Sequence, residues 1–538
     1  MNEHLKMAIA NISKKGDTDI FPYPVENVLF FDKQEKVLEI LSEMSEKISL
    51  LNGNKKQVCI TSSIPVGYTG YRWATFIEPE WNALFLAEVL KIAEKIESKR
   101  IPKEKNTIFS YRYNFDEESG SLFDMKYNWK SYYNTSAELA INKKHVVTFD
   151  ISDFYNRISH AKLRNILIDD VGADTSIVNN IMMFLQNFAN GSEAMGLPVG
   201  GNASRILAEA YLIKADNFLA ENKIQFCRYV DDYILFADSA QEAHQLINYC
   251  TNFFYKLLGL SMAKHKTNIM TKAEFKKHVR MIFDEVKEDE NSPKSSVMKL
   301  NLNVDHYSLT AEDDLKDLKG QVAGSGIISL LKSECKKTRI NQMFSKQLVR
   351  TLKFLEEEDI SEAFELLGKN FEKLYPVFPQ VMRTSYYNLP KCKEESQRLF
   401  IDSIISLFET NSFVIQSENN ASYALRVLSL FKNDKVVQTI DHIYKNAQNG
   451  FDSELVKMNA IYAMANLGNK SWISDRMETF PELSNWERRA MAAAKTFLGI
   501  ESDNLIKDQK NSDNAMEALL VNWVQEKMGQ KQNWKLPL

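Results

Sequence analysis

The chain has 538 residues, of which 44% are hydrophobic and 26% charged, so it can build more than one buried core. Lys and Arg (67) nearly balance Asp and Glu (71), which argues against a uniformly basic nucleic-acid coat but leaves local basic surface open. The five cysteines form no CxxC pair, which argues against a disulfide framework or zinc site and favours a reducing cytoplasm. No signal peptide and no uninterrupted apolar stretch of ~18 residues is evident, so we expect no membrane span.

Helical and extended patterns alternate over the first hundred residues. Apolar residues recur at three and four positions in residues 37–51 and again in residues 81–96, which predicts two amphipathic helices. Between them, residues 64–77 carry glycines and then a strand-like run that includes Arg72. We expect a loop that enters a strand.

A tyrosine-rich basic segment follows. Residues 108–113, with Arg112, and residues 127–133 interleave aromatic side chains with Arg and Lys. Such a pattern suits a nucleic-acid strand, because phosphates bind cations and bases stack on rings. A half-buried surface that joins two elements explains the same pattern equally well.

Three stretches then carry chemically distinctive residues. Residues 146–150 predict a buried strand that ends in an acid, and residues 195–201 predict a Gly/Pro loop that runs into a helix at residues 206–219. Residues 228–236 predict two short strands that meet in a tight turn, with Asp231 and Asp232 at its tip. An isolated Asp-Asp pair is usually a solvated turn, whereas a divalent cation would compensate its repulsion here.

Strand patterns fade beyond about residue 315, and helix-length apolar patterns continue to the end. Residues 424–430, 458–465 and 488–494 are similar to one another at a spacing of about 30–35 residues, which favours a stack of paired helices over a plain bundle. Residues 332–353 are locally basic, as a nucleic-acid contact or a solvated helical face would be.

The strand that ends at Asp150, the Gly/Pro loop and the double-aspartate turn follow one another in this order along the chain. Residues 147–155, 196–200 and 229–232 resemble motifs A, B and C of reverse transcriptases, and residues 257–267 are similar to motif D. The resemblance implies an α+β fold, namely a right-hand polymerase with fingers and palm, followed by an all-α, HEAT-like helical-repeat domain. It also implies RNA-directed or template-independent DNA synthesis from dNTPs.

Further details resemble the bacterial abortive-infection and defence-associated reverse transcriptases. They are residues 16–24, 109–112 and 203–205 and the helical C-terminal half. This resemblance implies a role in antiphage defence in the bacterial cytoplasm and an RNA template or non-coding RNA as partner. It also allows a DNA product attached covalently to the protein's own hydroxyl, and a homo-oligomer. Serine and tyrosine are too numerous to nominate a priming residue.

The resemblance divides the chain into four regions. We expect an N-terminal extension and fingers in residues 1–145, and a palm with the catalytic site in residues 146–290. A connector or thumb-like region would occupy residues 291–350, and the helical-repeat domain residues 351–538.

Nucleotide transfer to a hydroxyl uses two divalent cations, and carboxylate oxygens are the ligands that Mg²⁺ prefers. We expect Asp150 and Asp231 to bridge two Mg²⁺ ions (or Mn²⁺), with the carbonyl of Ile151 within reach. Asp232 would be a secondary ligand or an electrostatic support. Asp153 and Asp238 lie outside the matched positions, so neither is expected to be a ligand.

Other roles follow from the matched positions. Tyr155 falls where the family places an aromatic gate that favours dNTPs over rNTPs, although a core aromatic is the alternative. The backbone at Gly196, Pro198 and Gly200 would approach the template or incoming base closely. Lys266 is the candidate general acid for pyrophosphate, or a triphosphate contact.

Two arginines complete the predicted site. Arg72 and Arg112 lie in the finger region and could bind the triphosphate as charge-assisted forks, with a structural role equally open.

Two alternatives to an active polymerase of this group remain. One is a catalytically vestigial RNA-binding scaffold whose helical half recruits partners. The other is a mobile-element reverse transcriptase such as a group II intron maturase, which would need a basic thumb and a DNA-binding or endonuclease domain. The sequence shows neither, nor an RNase H domain.

Overall fold

The chain is described by a computed structural model. The described residues are 2–16, 18–46, 59–188, 194–284, 326–447, 453–476, 483–500, 515–530 and 534–538, with a few single residues between 294 and 322. They fall into two compact units. The first unit comprises Met1–Thr61 and Ala74–Asp284, and the second comprises Ser62–Trp73 and Glu285–Leu538.

Among the described residues, eight strands form three small sheets. The strands are β1 (Cys59–Val66), β2 (Gly70–Ile77), β3 (Tyr113–Asp116), β4 (Ser121–Phe123), β5 (His145–Asp150), β6 (Phe226–Tyr229), β7 (Asp232–Ala237) and β8 (Asn268–Thr271). Strands β1 and β2 pair with each other, as do β3 and β4, while the other four form one sheet in the order β6-β7-β5-β8. All pairs of the four-stranded sheet are antiparallel.

Strands β5, β6 and β7 of the four-stranded sheet are packed on both faces, whereas β8 is partly exposed. On one face, Tyr233 stacks on Phe149 with ring centroids 4.9 Å apart, and Phe254 packs edge-on against both rings. On the other face, Ile234 belongs to a buried cluster with Tyr132. A slip of one residue would exchange these faces, so the packing sets the register and places Asp150 opposite Asp232.

Helices surround this sheet in the first unit. They are α1 (Asn2–Lys15), α2 (Val25–Asp32), α3 (Gln34–Ser45), α4 (Pro79–Lys99), α5 (Trp129–Leu139), α6 (Phe154–Arg157), α7 (His160–Asn165), α8 (Thr175–Phe188), α9 (Asn202–Tyr211), α10 (Ile213–Glu221), α11 (Ala240–Phe253) and α12 (Lys272–Asp284). Local signals explain several starts. Asn128 closes a capping box before α5, and the Ser239 side chain accepts from the Glu242 N–H before α11. Helix α4 packs against both α8 and α9.

Helices dominate the described part of the second unit beyond residue 326. They are α13 (Ile327–Lys336), α14 (Gln342–Thr351), α15 (Glu357–Gly368), α16 (Phe378–Asn388), α17 (Glu394–Glu409), α18 (Glu418–Leu428), α19 (Asp434–Asn446), α20 (Glu454–Asn466), α21 (Lys470–Asp475), α22 (Asn485–Leu498) and α23 (Ala515–Gln530). Alternate helices pack in series, α14 on α16, α16 on α18, α18 on α20 and α20 on α22, while α15, α17 and α19 form a second series.

The hairpin segment Ser62–Trp73 is anchored within the second unit. The Tyr68 hydroxyl donates to the Lys373 carbonyl at 2.8 Å and accepts from the Ile340 N–H at 3.0 Å. The hydroxyls of Tyr71 and Tyr375 lie 3.1 Å apart. The sequence placed this segment with the fingers, whereas its contacts group it with the helices.

Several local predictions can be compared with the structure. Helix α4 contains the predicted helix 81–96, but the helix predicted at 37–51 ends at Ser45, and residues 47–58 lie outside the described part. The helix predicted at 206–219 divides into α9 and α10 at Leu212. In the connector predicted at 291–350, most of residues 291–325 lie outside the described part, whereas residues 326–350 are described and contain α13 and most of α14. Within the described ranges, no helix is long and apolar enough to cross a membrane.

Candidate active site

The tip between β6 and β7 is a strained two-residue turn. Tyr229 pairs with Asp232, which leaves Val230 and Asp231 as the loop. Val230 has φ +57°, a region that β-branched residues rarely adopt and that costs about 1–3 kcal/mol. Arg228 Nη1 donates to the Val230 carbonyl at 2.8 Å and so holds the turn in this conformation. The two predicted strands and their tight turn are present, but the tip consists of Val230 and Asp231, and Asp232 is the first residue of β7.

A buried ion network lies beneath this turn. Arg228 is fully buried and its guanidinium donates to Asp216 at 2.6 and 2.8 Å and to Glu209 at 2.8 Å. Glu209 also accepts from Arg100 at 2.5 Å and from the Ser110 hydroxyl. Burial alone would raise the pKa of Glu209, but the two guanidinium groups hold it below its usual value. The network fixes β6 against α9 and α10, and the motifs gave no indication of it.

The turn and the end of β5 bring three carboxylates together. Oxygen atoms of Asp150, Asp231 and Asp232 all lie within 4.8 Å of one another. The Ile151 N–H donates to the Asp231 carbonyl at 3.1 Å, which ties the strand end to the turn. Ile151 is 1% exposed, and the use of its carbonyl as a ligand stays a prediction.

Two of these acids resist ionisation. Burial first, and then the neighbouring carboxylates Asp232 and Asp150, raise the pKa of Asp231 to about 7. Burial and the charge on Asp150 raise the pKa of Asp232 to about 6. A divalent cation would relieve the repulsion between these carboxylates, because Mg²⁺ and similar hard cations prefer oxygen ligands. The donor set therefore fits divalent metal ions.

Lys266 is the cation in this cluster. Its Nζ donates a hydrogen bond to Asp150, and a short turn at Lys264–Lys266 places it there. Burial alone would lower the pKa of Lys266, but the hydrogen bond to Asp150 and the charges of the three carboxylates raise it. Lys266 therefore holds its proton beside the carboxylates, as a general acid must.

Tyr155 and the glycine loop form one backbone-bonded unit. The Tyr155 carbonyl accepts from the Leu197 N–H at 2.9 Å, and the Gly196 carbonyl lies 2.6 Å from His160 Nε2. Gly196 has φ +97° and Gly200 φ +134°, conformations that favour glycine. A Cβ atom on Gly200 would also lie 3.1 Å from the Thr18 hydroxyl oxygen. Pro198 is buried in the same loop.

The two predicted phosphate-binding arginines differ in setting. Arg112 is 1% exposed, its Nε donates to Glu97 at 2.7 Å, and its Nη1 donates to the Ile101 carbonyl at 2.9 Å. These contacts favour the structural alternative for Arg112. Arg72 is exposed and belongs to the hairpin segment of the second unit.

The aromatic side chains of the tyrosine-rich segment are buried or half-buried. Tyr132 is 1% exposed and belongs to the cluster beneath the sheet, with Tyr127 and Tyr133 packed against it. Its hydroxyl donates to the Asp232 carbonyl at 3.3 Å. These contacts favour the half-buried surface over the nucleic-acid strand for residues 127–133.

A family model identifies this part of the chain. Residues 84–297 match the model described as reverse transcriptase (RNA-dependent DNA polymerase), a range that includes Asp150, the glycine loop, the double-aspartate turn and Lys266. Residues 84–297 are a reverse transcriptase domain. The protein is thus an enzyme of the DNA nucleotidyltransferase class, and the reverse transcriptase domain contains the carboxylate cluster.

The chain is also similar to solved telomerase structures. Telomerase from Candida albicans with a TWJ fragment of telomeric RNA is 12% identical, with 75% of this chain and 66% of that chain covered and a TM-score of 0.31. Apo telomerase from Candida tropicalis is 12% identical, with 75% and 68% covered and a TM-score of 0.30. The chain thus spans about two thirds of the length of these telomerases, and such TM-scores carry no argument about function. No curated protein matches the sequence.

Proposed function

We propose that the protein is a DNA polymerase of reverse-transcriptase type that adds dNTPs, with RNA as template or without a template. The observation that carries this proposal is the cluster of Asp150, Asp231 and Asp232 beside protonated Lys266, inside a reverse transcriptase domain. All the charged groups that nucleotide transfer needs are present, which argues against a vestigial scaffold.

Asp150 and Asp231, with the carbonyl of Ile151, would hold two Mg²⁺ ions, and Asp232 would support them; Mn²⁺ fits the same oxygen donors. When bound, such ions activate the attacking hydroxyl and stabilise charge on the triphosphate. By holding the ions, Asp150 and Asp231 would fix the positions of the attacking hydroxyl oxygen and of the triphosphate oxygens. Lys266 carries a proton at Nζ and gives it to the departing pyrophosphate oxygen.

The nucleotide would lie against Tyr155 and the loop of Gly196, Pro198 and Gly200. Tyr155 is joined to this loop through its carbonyl, so ring and loop would form one wall of the pocket. A ring at this place would exclude a 2′-hydroxyl and so favour dNTPs. Arg72, which is exposed, stays the candidate for a phosphate contact.

The regions outside the matched domain have roles in the same proposal. The alternating series of helices α14–α22 supports a HEAT-like repeat domain within residues 351–538. Residues 1–145 would be extension and fingers, 146–290 palm, and 291–350 connector. Such repeats offer surfaces for an RNA partner or a second copy of the chain.

We place this activity in bacterial antiphage defence, with a non-coding RNA as partner and the product DNA attached to the protein. The support is the resemblance of residues 16–24, 109–112 and 203–205, together with the helical second unit. Bacteria that express the wild-type chain should resist phage infection in plaque assays, and the Asp231→Ala/Asp232→Ala variant should not. Equal protection by both would contradict the defence role of the polymerase.

Labelled dNTP incorporation tests the enzymatic proposal. The full chain is incubated with Mg²⁺ and labelled dNTPs, once with its copurifying nucleic acid and once after RNase treatment. We expect labelled DNA from the wild type and none from Asp231→Ala/Asp232→Ala. RNase sensitivity would identify RNA-directed synthesis, and label that stays with the protein after denaturation would identify covalent attachment. Synthesis by the double variant would contradict the proposal.

A further inference from the structure

Helix α1 and the residues that follow it contact the start of helix α9, beside the glycine loop. Asn11 bridges two parts of the first unit, since its Nδ2 donates to the Gly120 carbonyl at 2.8 Å and its Oδ1 accepts from Asn202 at 2.9 Å. Thr18 is buried, with its hydroxyl oxygen 3.1 Å from where a Gly200 Cβ would lie. The N-terminal segment is therefore packed directly against the proposed nucleotide wall.

Arg205 joins this segment to the pocket. Its Nη2 donates to Asp19 at 2.5 Å and its Nη1 to the Asn202 side chain at 2.8 Å. The guanidinium carbon lies 5.1 Å from the centre of the Tyr111 ring, over which it stacks. Two hydrogen bonds and a stacked ring fix the plane of the guanidinium, which a lysine ammonium could not reproduce.

Tyr111 is itself held in an unusual conformation. Its φ is +43°, its carbonyl accepts from Arg100 at 2.9 Å, and its ring packs against Phe123 with centroids 5.2 Å apart. Burial raises the pKa of the Tyr155 hydroxyl; the nearby Tyr111 raises it further and the nearby Arg205 charge opposes the rise. The Tyr111 ring, on which Arg205 stacks, therefore lies near the ring proposed to exclude a 2′-hydroxyl.

The glycine loop is held from a second direction. The Thr75 N–H donates to the Val199 carbonyl at 3.1 Å, while the Leu197 N–H is bonded to the Tyr155 carbonyl. Strand β2 and helix α6 therefore fix the middle of the loop. Asn202, Arg205 and their N-terminal partners hold its exit into helix α9.

We propose that Asp19 and Arg205 are positioning residues that set the Tyr111–Tyr155 wall and thereby the preference of the enzyme for deoxyribose over ribose. The inference rests on the proposed function and assigns part of its sugar selectivity to the N-terminal segment. Neither residue touches the reacting atoms. Both act through the ring of Tyr111 and the start of helix α9.

The Asp19–Arg205 ion pair is better suited to orienting the guanidinium than to stabilising the fold. The Asp19 side chain is 62% exposed and that of Arg205 is 21% exposed. Exposed ion pairs contribute little to folding stability. Removing the Asp19 charge should therefore leave the fold intact while it frees the guanidinium to turn away from Tyr111.

Selectivity is measured as the ratio of kcat/KM for dCTP to kcat/KM for CTP in the full chain. We expect Asp19→Asn and Arg205→Lys each to lower this ratio about 10-fold, chiefly through a lower KM for CTP, because small displacements of a positioning group have effects of this size or larger. Asp19→Glu, which keeps the charge, should restore most of the ratio. The double variant should be no worse than Arg205→Lys alone.

The matched control is Asp238→Asn, which breaks another exposed ion pair of the same unit, with Lys143 at 3.0 Å. It should leave the ratio unchanged. An unchanged ratio in both Asp19→Asn and Arg205→Lys, with normal circular dichroism, would overturn the inference.

Equilibrium binding of dCTP and CTP with Ca²⁺ separates this inference from the polymerase proposal. A wild type that prefers dCTP but makes no DNA would refute polymerisation, and loss of that preference in Asp19→Asn would still support the positioning role. A wild type without any preference would overturn the inference.

Discussion

The crowded carboxylates predict that one inactivating substitution stabilises the metal-free enzyme. Asp231 has its pKa raised from 3.8 to about 7, so the folded protein binds this proton more tightly than the unfolded chain does. The free energy of unfolding therefore falls as pH rises from about 4 to about 7. Asparagine at this position is neutral at every pH and keeps the shape of the side chain, so Asp231→Asn should remove this loss.

The size of the effect follows from the shift. A change from 3.8 to about 7 corresponds to at most about 4 kcal/mol for one isolated group. Asp231 shares the repulsion with Asp232 and Asp150 and is only partly buried, so we expect a gain of about 1–2 kcal/mol at pH 8. In a domain of this size the melting temperature should rise by about 2–4 °C per kcal/mol.

Thermal unfolding in EDTA at pH 5 and pH 8 measures this gain in stability. Asp231→Asn should melt above the wild type at pH 8 and close to it at pH 5, where Asp231 is protonated. Mg²⁺ should raise the melting temperature of the wild type more than that of the variant. Asp238→Asn serves as the exposed control, with no expected change. If Asp231→Asn is equally destabilising at both pH values, the carboxylates do not repel as described.

Three further predictions follow from single side chains. Tyr155→Val should raise kcat/KM for rNTPs relative to dNTPs at least 10-fold by removing the ring proposed to face the sugar, as paired incorporation assays would report. Lys266→Met keeps the chain length but carries no proton, so kcat should fall about 10²–10⁴-fold with a smaller change in KM, and an unchanged kcat would exclude the acid role. Tyr68→Phe removes two hydrogen bonds of the hairpin anchor and should cost about 1–2 kcal/mol in urea unfolding, whereas Tyr71→Phe, which loses one, should cost less.

The sequence was most informative where local chemistry is unusual. Two adjacent acids in an apolar, aromatic run predicted the turn at Asp231, and an acid after a buried strand predicted Asp150. The order of the motifs predicted that these acids lie close together. The pairing of β5 with β7, which sets Asp150 opposite Asp232, is the physical cause.

The buried network could not be predicted because its members are far apart in the chain. Arg228 meets Asp216 and Glu209 only when β6 packs on α9 and α10, and each charge alone is compatible with a surface position. The position of Arg228 within an otherwise apolar strand was the one indication of this network in the sequence. The sequence left the role of Arg112 open for the same reason, since its partner Glu97 lies on another element.

Periodicity also fails where a helix is covered on all sides. Every residue of helix α20 after Glu454 is buried, so its sequence carries no polar face to mark the packing direction. The anchor of Ser62–Trp73 is a further case. Tyr68 meets Lys373 across 305 residues, and a glycine-rich loop gives no indication of such a partner.

The most direct test of the catalytic assignment is dNTP incorporation by the wild type and by Asp150→Asn, each with Mg²⁺ and with EDTA. Asp150 is the acid that joins the strand β5 to the turn and to Lys266. We predict DNA from the wild type with Mg²⁺, none with EDTA, and a rate at least about 100-fold lower for Asp150→Asn. Synthesis by Asp150→Asn at the wild-type rate, or synthesis in EDTA, would contradict nucleotide transfer at this carboxylate cluster.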